Sequence, residues 1–384
     1  MAGLYIHIPF CKSRCIYCGF YSTTAHEMKQ RYIDAVCKEM RIREHPQESI
    51  NTIYIGGGTP SQLSGEQLRQ LFACIKDVYG VDNVIETTME VNPDDIAPNN
   101  ASTTDSLFVP YTRLLSELPI NRISMGAQTF NNKRLEFLHR RHTAEQIPTA
   151  VRLLREAGIQ NISIDLMYGF PNETLSDWTH DIEMALTLGI EHISAYSLMY
   201  EENTPLFHLR EESNDSRYKP IDEELELQMF GTLIDHLTTA GYNHYEISNF
   251  AKPDFHSRHN SGYWNQTPYI GIGAAAHSYD GKDKRSWNPD NLSQYINAIE
   301  NGQLPQEVEL LDENTRYNDI VMTTLRTRKG LNTFILSKEH ADYCLQQAER
   351  FIKDGELIIE GTTLRLSRKG LFVSNMIMSE LMIV

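Results

Sequence analysis

Three cysteines fall within one short stretch near the start of the chain: Cys11, Cys15 and Cys18, in the run Phe10-Cys11-Lys12-Ser13-Arg14-Cys15-Ile16-Tyr17-Cys18. This C-x3-C-x2-C spacing delivers three thiolates from a single loop. A cubane iron–sulfur cluster has four irons, so three thiolates leave one iron without a protein ligand. An open iron is a place for a substrate or cofactor to bind, so a reactive cluster is the leading expectation. The competing reading is a zinc site, which needs a fourth Cys or His to close a tetrahedron. His7 and His26 lie near enough in sequence to supply one. A structural disulfide is disfavoured, because no secretory segment precedes these cysteines.

The chain has 384 residues, enough for one large domain and a smaller one. No apolar run approaches the length of a membrane span, so no transmembrane helix is expected. The start, Met1-Ala2-Gly3-Leu4-Tyr5-Ile6-His7-Ile8, has no basic leader and reads as a strand. A cytoplasmic location follows, where thiols stay reduced. The formal net charge of −16 repels phosphate backbones. The densest basic cluster is Lys282–Arg285, so nucleic acid is not an expected partner. Cys37 and Cys74 fall in helical patterns and read as buried small apolar residues; Cys344 is likewise isolated.

Short apolar runs alternate with helical patterns over the first 200 or so residues. Strands are expected at Leu4–Ile8, Thr52–Ile55, Ile85–Val91, Arg122–Gly126, Ile162–Met167 and His192–Leu198. Helices are expected at Met28–Arg43, Gln67–Tyr79, Ala144–Ala157 and Leu175–Leu188. Such alternation argues for a parallel sheet with right-handed crossovers. The cysteines, Gly56-Gly57-Gly58, Glu90, Gln128 and Asp165 all fall at or after the ends of these strands. That placement favours a barrel or partial barrel, whose functional groups gather at the C-terminal rim.

The fold class expected is therefore α/β, a partial (β/α)6 TIM-like barrel, with a small C-terminal α+β domain of winged-helix style. Residues 1–215 form the barrel, 216–300 extend and link it, and 301–384 form the small domain. Asn92–Asp105 reads as a polar, mobile loop and Tyr200–Lys219 as a polar connection. The C-terminal helices are Asn314–Thr327 and Lys338–Asp354, and Leu357–Ile359 with Thr363–Leu366 reads as a hairpin.

Three further motifs carry chemistry. Gly56-Gly57-Gly58-Thr59-Pro60 follows a strand, where glycines let backbone N–H groups approach a ligand; a tight turn is the alternative. Gly271-Ile272-Gly273-Ala274-Ala275-Ala276 fits the dinucleotide spacing, but no strand–helix–strand unit surrounds it, so a close-packed turn is expected. His259-Asn260-Ser261-Gly262-Tyr263-Trp264 offers an imidazole with flanking aromatics. It reads either as a haem ligand or as a turn whose aromatics pack under the barrel. Glu90 before Val91-Asn92-Pro93 is a carboxylate at a strand end, for catalysis, capping or an ion pair.

Taken together, Cys11-x3-Cys15-x2-Cys18, Gly57-Gly58-Thr59-Pro60 and Glu90 resemble the radical S-adenosylmethionine enzymes. Tyr5-Ile6-His7-Ile8-Pro9-Phe10-Cys11, Met125-Gly126-Ala127-Gln128-Thr129-Phe130 and Ile164-Asp165-Leu166-Met167-Tyr168-Gly169-Phe170-Pro171 narrow the resemblance to the branch around oxygen-independent coproporphyrinogen III oxidase. Within it, the oxidase pattern carries a further Cys where this chain has Phe20, and a long segment where only ten residues precede Cys11. His259-Asn260-x-x-Tyr263-Trp264 instead resembles the haem-binding motif of HemW-type haem chaperones.

The resemblance implies a [4Fe–4S] cluster on Cys11, Cys15 and Cys18, with S-adenosylmethionine chelating the fourth iron. It implies S-adenosylmethionine contacts from Tyr5, Tyr17, Gly57, Gly58, Thr59 and Glu90. Gln128, Arg140 and Asp165 match positions that hold a second such molecule in the oxidase, and Tyr196 and His277 match loosely. Haem contacts are implied for His259, Asn260, Tyr263 and Trp264. The implied function is a haem chaperone that delivers haem to acceptor haem proteins, membrane-associated ones included. The alternative is the oxidase itself, turning propionates into vinyls. The electron donor, and whether the chain forms a homodimer, stay open.

Overall fold

The computed structural model describes residues 2–43, 49–97, 109–212 and 215–384. Six parallel strands form its centre: β1 (Ala2–Ile8), β2 (Ile50–Gly57), β3 (Glu86–Val91), β4 (Arg122–Gln128), β5 (Asn161–Tyr168) and β6 (His192–Ser197). They lie side by side in sequence order. Right-handed crossovers between successive neighbours place every connecting helix on one face. The sheet can then bury its other face only by curling on itself, which gives a partial barrel.

Each expected strand is present; three run two residues longer than the patterning indicated, β2 runs four longer, and β3 and β6 are a residue shorter. The helices Lys29–Ile42, Gly65–Tyr79, Gln146–Glu156 and Leu175–Thr187 match their expected segments. Their apolar stripes, such as Tyr32, Val36 and Met40, are fully buried against the sheet. Capping boxes at Ser64/Gln67 and Thr174/Asp177 start two of them. Two crossover helices have no counterpart in the expected set, Val109–Glu117 and Asn132–Phe137. The second is too short to develop a periodic apolar stripe. The polar stretch Asn92–Asp105 holds a short helix at Pro93–Ile96, and its remainder from residue 98 lies outside the described residues. The connection Tyr200–Lys219 carries the helix Pro205–Glu212.

The six strands alternate in a way that defines the site. Leu4, Ile6, Ile53, Ile55, Met89, Ile123, Met125, Ile162, Ile164 and Ile193 point to the helices and are fully buried. The residues between them point into the barrel: Tyr5, His7, Tyr54, Glu90, Arg122, Ser124, Asp165 and Ser194. Strands buried on both faces usually read as continuous apolar runs. These keep a period of two because the inside of the barrel is a polar chamber.

The sheet grows beyond the six strands on both sides. Next to β6 come β8 (Asn249–Ala251) and β7 (Asn243–Glu246), both antiparallel. Beyond β1 come β9 (Tyr269–Ile272), parallel to it, then β10 (His277–Tyr279), β11 (Lys284–Trp287) and β12 (Glu307–Leu310). The glycine run Gly271–Ala276 leads from β9 into β10. A Cβ on Gly271 would overlap the His277 carbonyl, and the Gly273 N–H donates to Glu39 Oε2 at 2.8 Å. Glu39 is fully buried and paired with Arg43 at 2.8 Å, so the turn locks onto a satisfied internal charge. This is the close-packed turn expected.

One hydrophobic core draws on residues from Ala2 to Ile299, and a second on residues from Tyr317 to Leu381. The second surrounds the helices Glu313–Thr324, Lys338–Lys353 and Ser374–Leu381 and the small sheet β13 (Leu331–Asn332), β15 (Thr363–Leu366) and β14 (Leu357–Glu360). Among the described residues, no helix is long and apolar enough to cross a membrane.

Candidate functional site

The cysteine loop leaves the C-terminal end of β1 through Pro9 and Phe10. Its base is closed by backbone bonds from Cys11 N–H to Thr23 O at 2.9 Å and from Thr23 N–H to Pro9 O at 2.7 Å. Its middle is anchored by Ile16, which is buried in a small cluster with Leu138, Met167, Phe170, Leu198 and Leu206. Ile16 also bonds through its backbone to Leu138 O at 3.3 Å and from Leu206 N–H at 2.9 Å. One apolar anchor therefore fixes the loop while its cysteines stay at the surface of the chamber. All six cysteines are free, but only Cys11, Cys15 and Cys18 are partly exposed.

The three thiols share a cavity of about 70 Å³ with Tyr17, Gly57, Gly58, Thr59 and Arg140. Cys11 Sγ lies 3.6 Å from Thr59 Oγ1. Arg140 donates from Nη1 to Cys15 Sγ at 3.6 Å, and from Nη2 to Asn92 Oδ1 and Gly126 O at 2.6 Å each. Burial pushes the Cys11 and Cys18 thiols up, so a bound metal would have to displace their protons. The Arg140 guanidinium is placed to offset the charge of a thiolate at Cys15.

This donor set fits a cluster better than a single ion. A cubane bonds each thiolate to a different iron, so its ligands stand apart. His7 is also committed elsewhere. Its Nε2 lies 3.0 Å from Tyr21 O and must carry the proton, so Nδ1 accepts from Tyr5 OH at 2.9 Å. Burial lowers its pKa to about 4, which keeps the ring neutral.

The glycines do two jobs at once. Gly57 has φ of +110°, and a Cβ there would overlap the His7 ring. A Cβ on Gly58 would sit 2.7 Å from the Pro9 carbonyl carbon. The glycines thus let β2 close onto the base of the cysteine loop, while Gly57 and Gly58 still border the thiol cavity. Glu90 is tied to the same turn: it accepts from Tyr54 OH at 2.7 Å and from Gly57 N–H at 3.0 Å. Burial, reinforced by Asp165 and opposed by the Tyr54 bond, pushes its pKa up to about 7.

Gln128 ends β4 with φ of +68°, a conformation strained for a non-glycine residue. A bulge at Gly126 turns it over the sheet, beside Arg140. Asp165 lies one strand further along, bonded to Ser194 and Ser124, with burial raising its pKa. The cysteines, Tyr5, Tyr17, Gly57, Gly58, Thr59, Glu90, Gln128, Arg140 and Asp165 therefore share one rim and chamber. Asn92, which ties Arg140 to Thr59, belongs with them and was not singled out by the sequence, although it stands two residues after Glu90.

The His259 motif lies at the opposite end. It forms the helix Arg258–Trp264, whose first backbone N–H groups are held by the Glu86 carboxylate at 2.8 and 2.9 Å. The His259 ring packs under Gly3 and Tyr54. Gly3 is four residues before His7 on β1, which places His259 about 13 Å below the level of the Gly57 turn. The ring is 3% exposed. Nδ1 bonds Thr52 Oγ1 at 3.0 Å and Nε2 bonds Tyr263 OH at 2.9 Å. In this arrangement both ring nitrogens of His259 are hydrogen-bonded, and the adjoining cavity is about 170 Å³. His277, the loosely matched residue, stacks on Trp287 in the outer hairpin and faces neither site.

A sequence model of the Radical SAM superfamily matches residues 5–185. Among curated proteins, the heme chaperone HemW of Bacillus subtilis is 37% identical over 78% of this chain and 76% of its own. The heme chaperone HemW of Lactococcus lactis is 35% identical over 85% and 82%. The chain belongs to the HemW family of radical SAM proteins. The HemW of Mycobacterium tuberculosis, 29% identical, extends the match to 99% of this chain and 94% of its own. The structure of coproporphyrinogen III oxidase (HemN) from Escherichia coli superimposes with a TM-score of 0.82, over 99% of this chain and 89% of that one, at 22% identity. This chain thus shares the oxidase fold. At that identity the likeness speaks for fold alone.

Proposed function

We propose that this protein binds haem and passes it to acceptor haem proteins, and that it carries a [4Fe–4S] cluster with S-adenosylmethionine. The observation that carries the reading is the match to curated HemW haem chaperones over more than three-quarters of the chain. Phe20 supports it. It stands 71% exposed beside the cysteine loop, where the oxidase pattern has a further cysteine.

Cys11, Cys15 and Cys18 hold the cluster, which supplies an open iron and a source of electrons when bound. The chain's own residues do the rest. Ile16 fixes the loop, Gly57 and Gly58 give unobstructed backbone beside it, and Arg140 balances thiolate charge. Tyr5, Tyr17, Thr59 and Glu90 line the S-adenosylmethionine side. Burial pushes the Glu90 carboxyl up to about 7, and its carboxylate can accept a hydrogen bond from an amine there. Gln128 and Asp165 close the chamber.

The test is anaerobic. The cluster is reconstituted and the sample divided between a haem titration and an assay with coproporphyrinogen III, S-adenosylmethionine and a reductant. Saturable haem uptake without protoporphyrinogen is expected. Product formation would make the protein an oxidase that works with Phe20 in place of the cysteine.

A further inference from the structure

The helix Arg258–Trp264 separates two cavities. His259 and Tyr263 face the smaller one, of about 170 Å³. Ser261 and Trp264 face a second, of about 380 Å³, walled by β7 and by the turn after the helix Glu313–Thr324. Only the second falls within the range of pockets that take small-molecule ligands.

Its charge stands out in a chain of net charge −16. Arg328, Lys329 and Arg365 all line it. Arg365 is paired with Glu360 at 2.8 Å. Among the described residues, neither Arg328 nor Lys329 has a carboxylate partner. The turn that carries them is not loose, because Arg328 N–H donates to Tyr245 O at 3.0 Å. The opposite wall is aromatic. Tyr245 and His256 stack at 4.2 Å, and the Arg326 guanidinium lies 5.1 Å from the Trp264 ring centre. Trp264 Nε1 and His256 Nε2 are buried without a partner, which is unusual enough to need a reason.

Unneutralised cations facing a flat aromatic wall select a planar ligand that bears carboxylates. We propose that this cavity seats the haem cargo, with Arg328 and Lys329 holding its propionates and the Trp264 side of the motif helix facing the ring. The inference rests on the haem-binding reading above. It also moves haem from the His259 face of that helix to its other face.

The test titrates haem into the cluster-reconstituted protein, followed by absorbance, for wild type, R328E/K329E and R328Q/K329Q. Far-UV circular dichroism confirms the fold of each variant. A parallel series uses haem whose two propionates are esterified. Wild type is expected to bind haem saturably, with R328Q/K329Q about tenfold weaker and R328E/K329E weaker still. Esterified haem is expected to bind wild type and both variants alike, because the groups that tell them apart are gone. Unchanged haem affinity in both variants would overturn the proposal while leaving haem binding standing, as would equal affinity of wild type for haem and its ester. Absence of saturable binding by wild type would overturn the haem reading itself.

Discussion

Replacing His259 by alanine should destabilise the protein whether or not haem is present. The substitution removes a buried ring that bonds Thr52 at 3.0 Å and Tyr263 at 2.9 Å and packs against Tyr54 and Gly3. Thr52 is buried, so its orphaned hydroxyl costs about 1–3 kcal/mol. Tyr263 borders a cavity that water can enter, so its loss is smaller. Deleting a buried ring adds a cavity cost of about 2 kcal/mol or more. The sum is about 3–5 kcal/mol, or a fall in Tm of about 4–6 °C for a chain of 384 residues. The assay is urea and thermal unfolding of haem-free His259→Ala beside wild type. His259→Gln is the companion, since an amide keeps polar contacts but is a poor iron ligand. If the ring acts through the fold, His259→Gln retains most of the stability and haem uptake that His259→Ala loses. A haem-free His259→Ala protein within about 0.5 kcal/mol of wild type would refute the reasoning and free the residue for ligation.

Cys11→Ser, Cys15→Ser and Cys18→Ser should each lose the iron–sulfur absorbance after reconstitution, whereas Cys344→Ala should keep it; retention in any loop variant would remove that residue from the ligand set. Gly57→Ala should cost about 3 kcal/mol or more in urea unfolding, from a positive φ and overlap with the buried His7 ring. Burial holds His7 at about 4, His142 at about 3 and His259 at about 3, and lowers His192 too. Below the ordinary histidine value of about 6.5, the unfolded chain takes up protons that these folded rings refuse, so stability falls as pH falls. Glu90 and Glu173 act in the opposite sense, raised to about 7 by burial, and lose their contribution as pH rises from about 4.5 to 7. The histidines outnumber them, so the urea midpoint should be lower at pH 4 than at pH 6.5; a flat or rising midpoint on acidification would show that these rings are not held neutral.

The sequence by itself determined the chemistry of the upper rim. Cysteine spacing, glycines after a strand and carboxylates at strand ends are local facts, and a parallel strand–helix alternation has few ways to fold. Such residues meet because barrel geometry gathers strand C-termini, whichever helices lie between. The alternation in Tyr5-Ile6-His7-Ile8 or Ile164-Asp165-Leu166 went unread in the sequence; period two inside a parallel strand means one face is not core, and the structure shows that face lining the polar chamber.

Only the tertiary structure decided the rest. Local sequence cannot say which end of a barrel a later segment will close, because that depends on contacts between residues far apart in the chain. Nothing local in His259 and its aromatics told where they lie; Glu86, Thr52 and Gly3 hold them at the N-terminal mouth. The cationic cavity shows the same limit. Tyr245, Arg328 and Arg365 lie far apart along the chain and carry no motif. They line one cavity only because the fold brings them together, and among the described residues Arg328 and Lys329 there have no carboxylate partner.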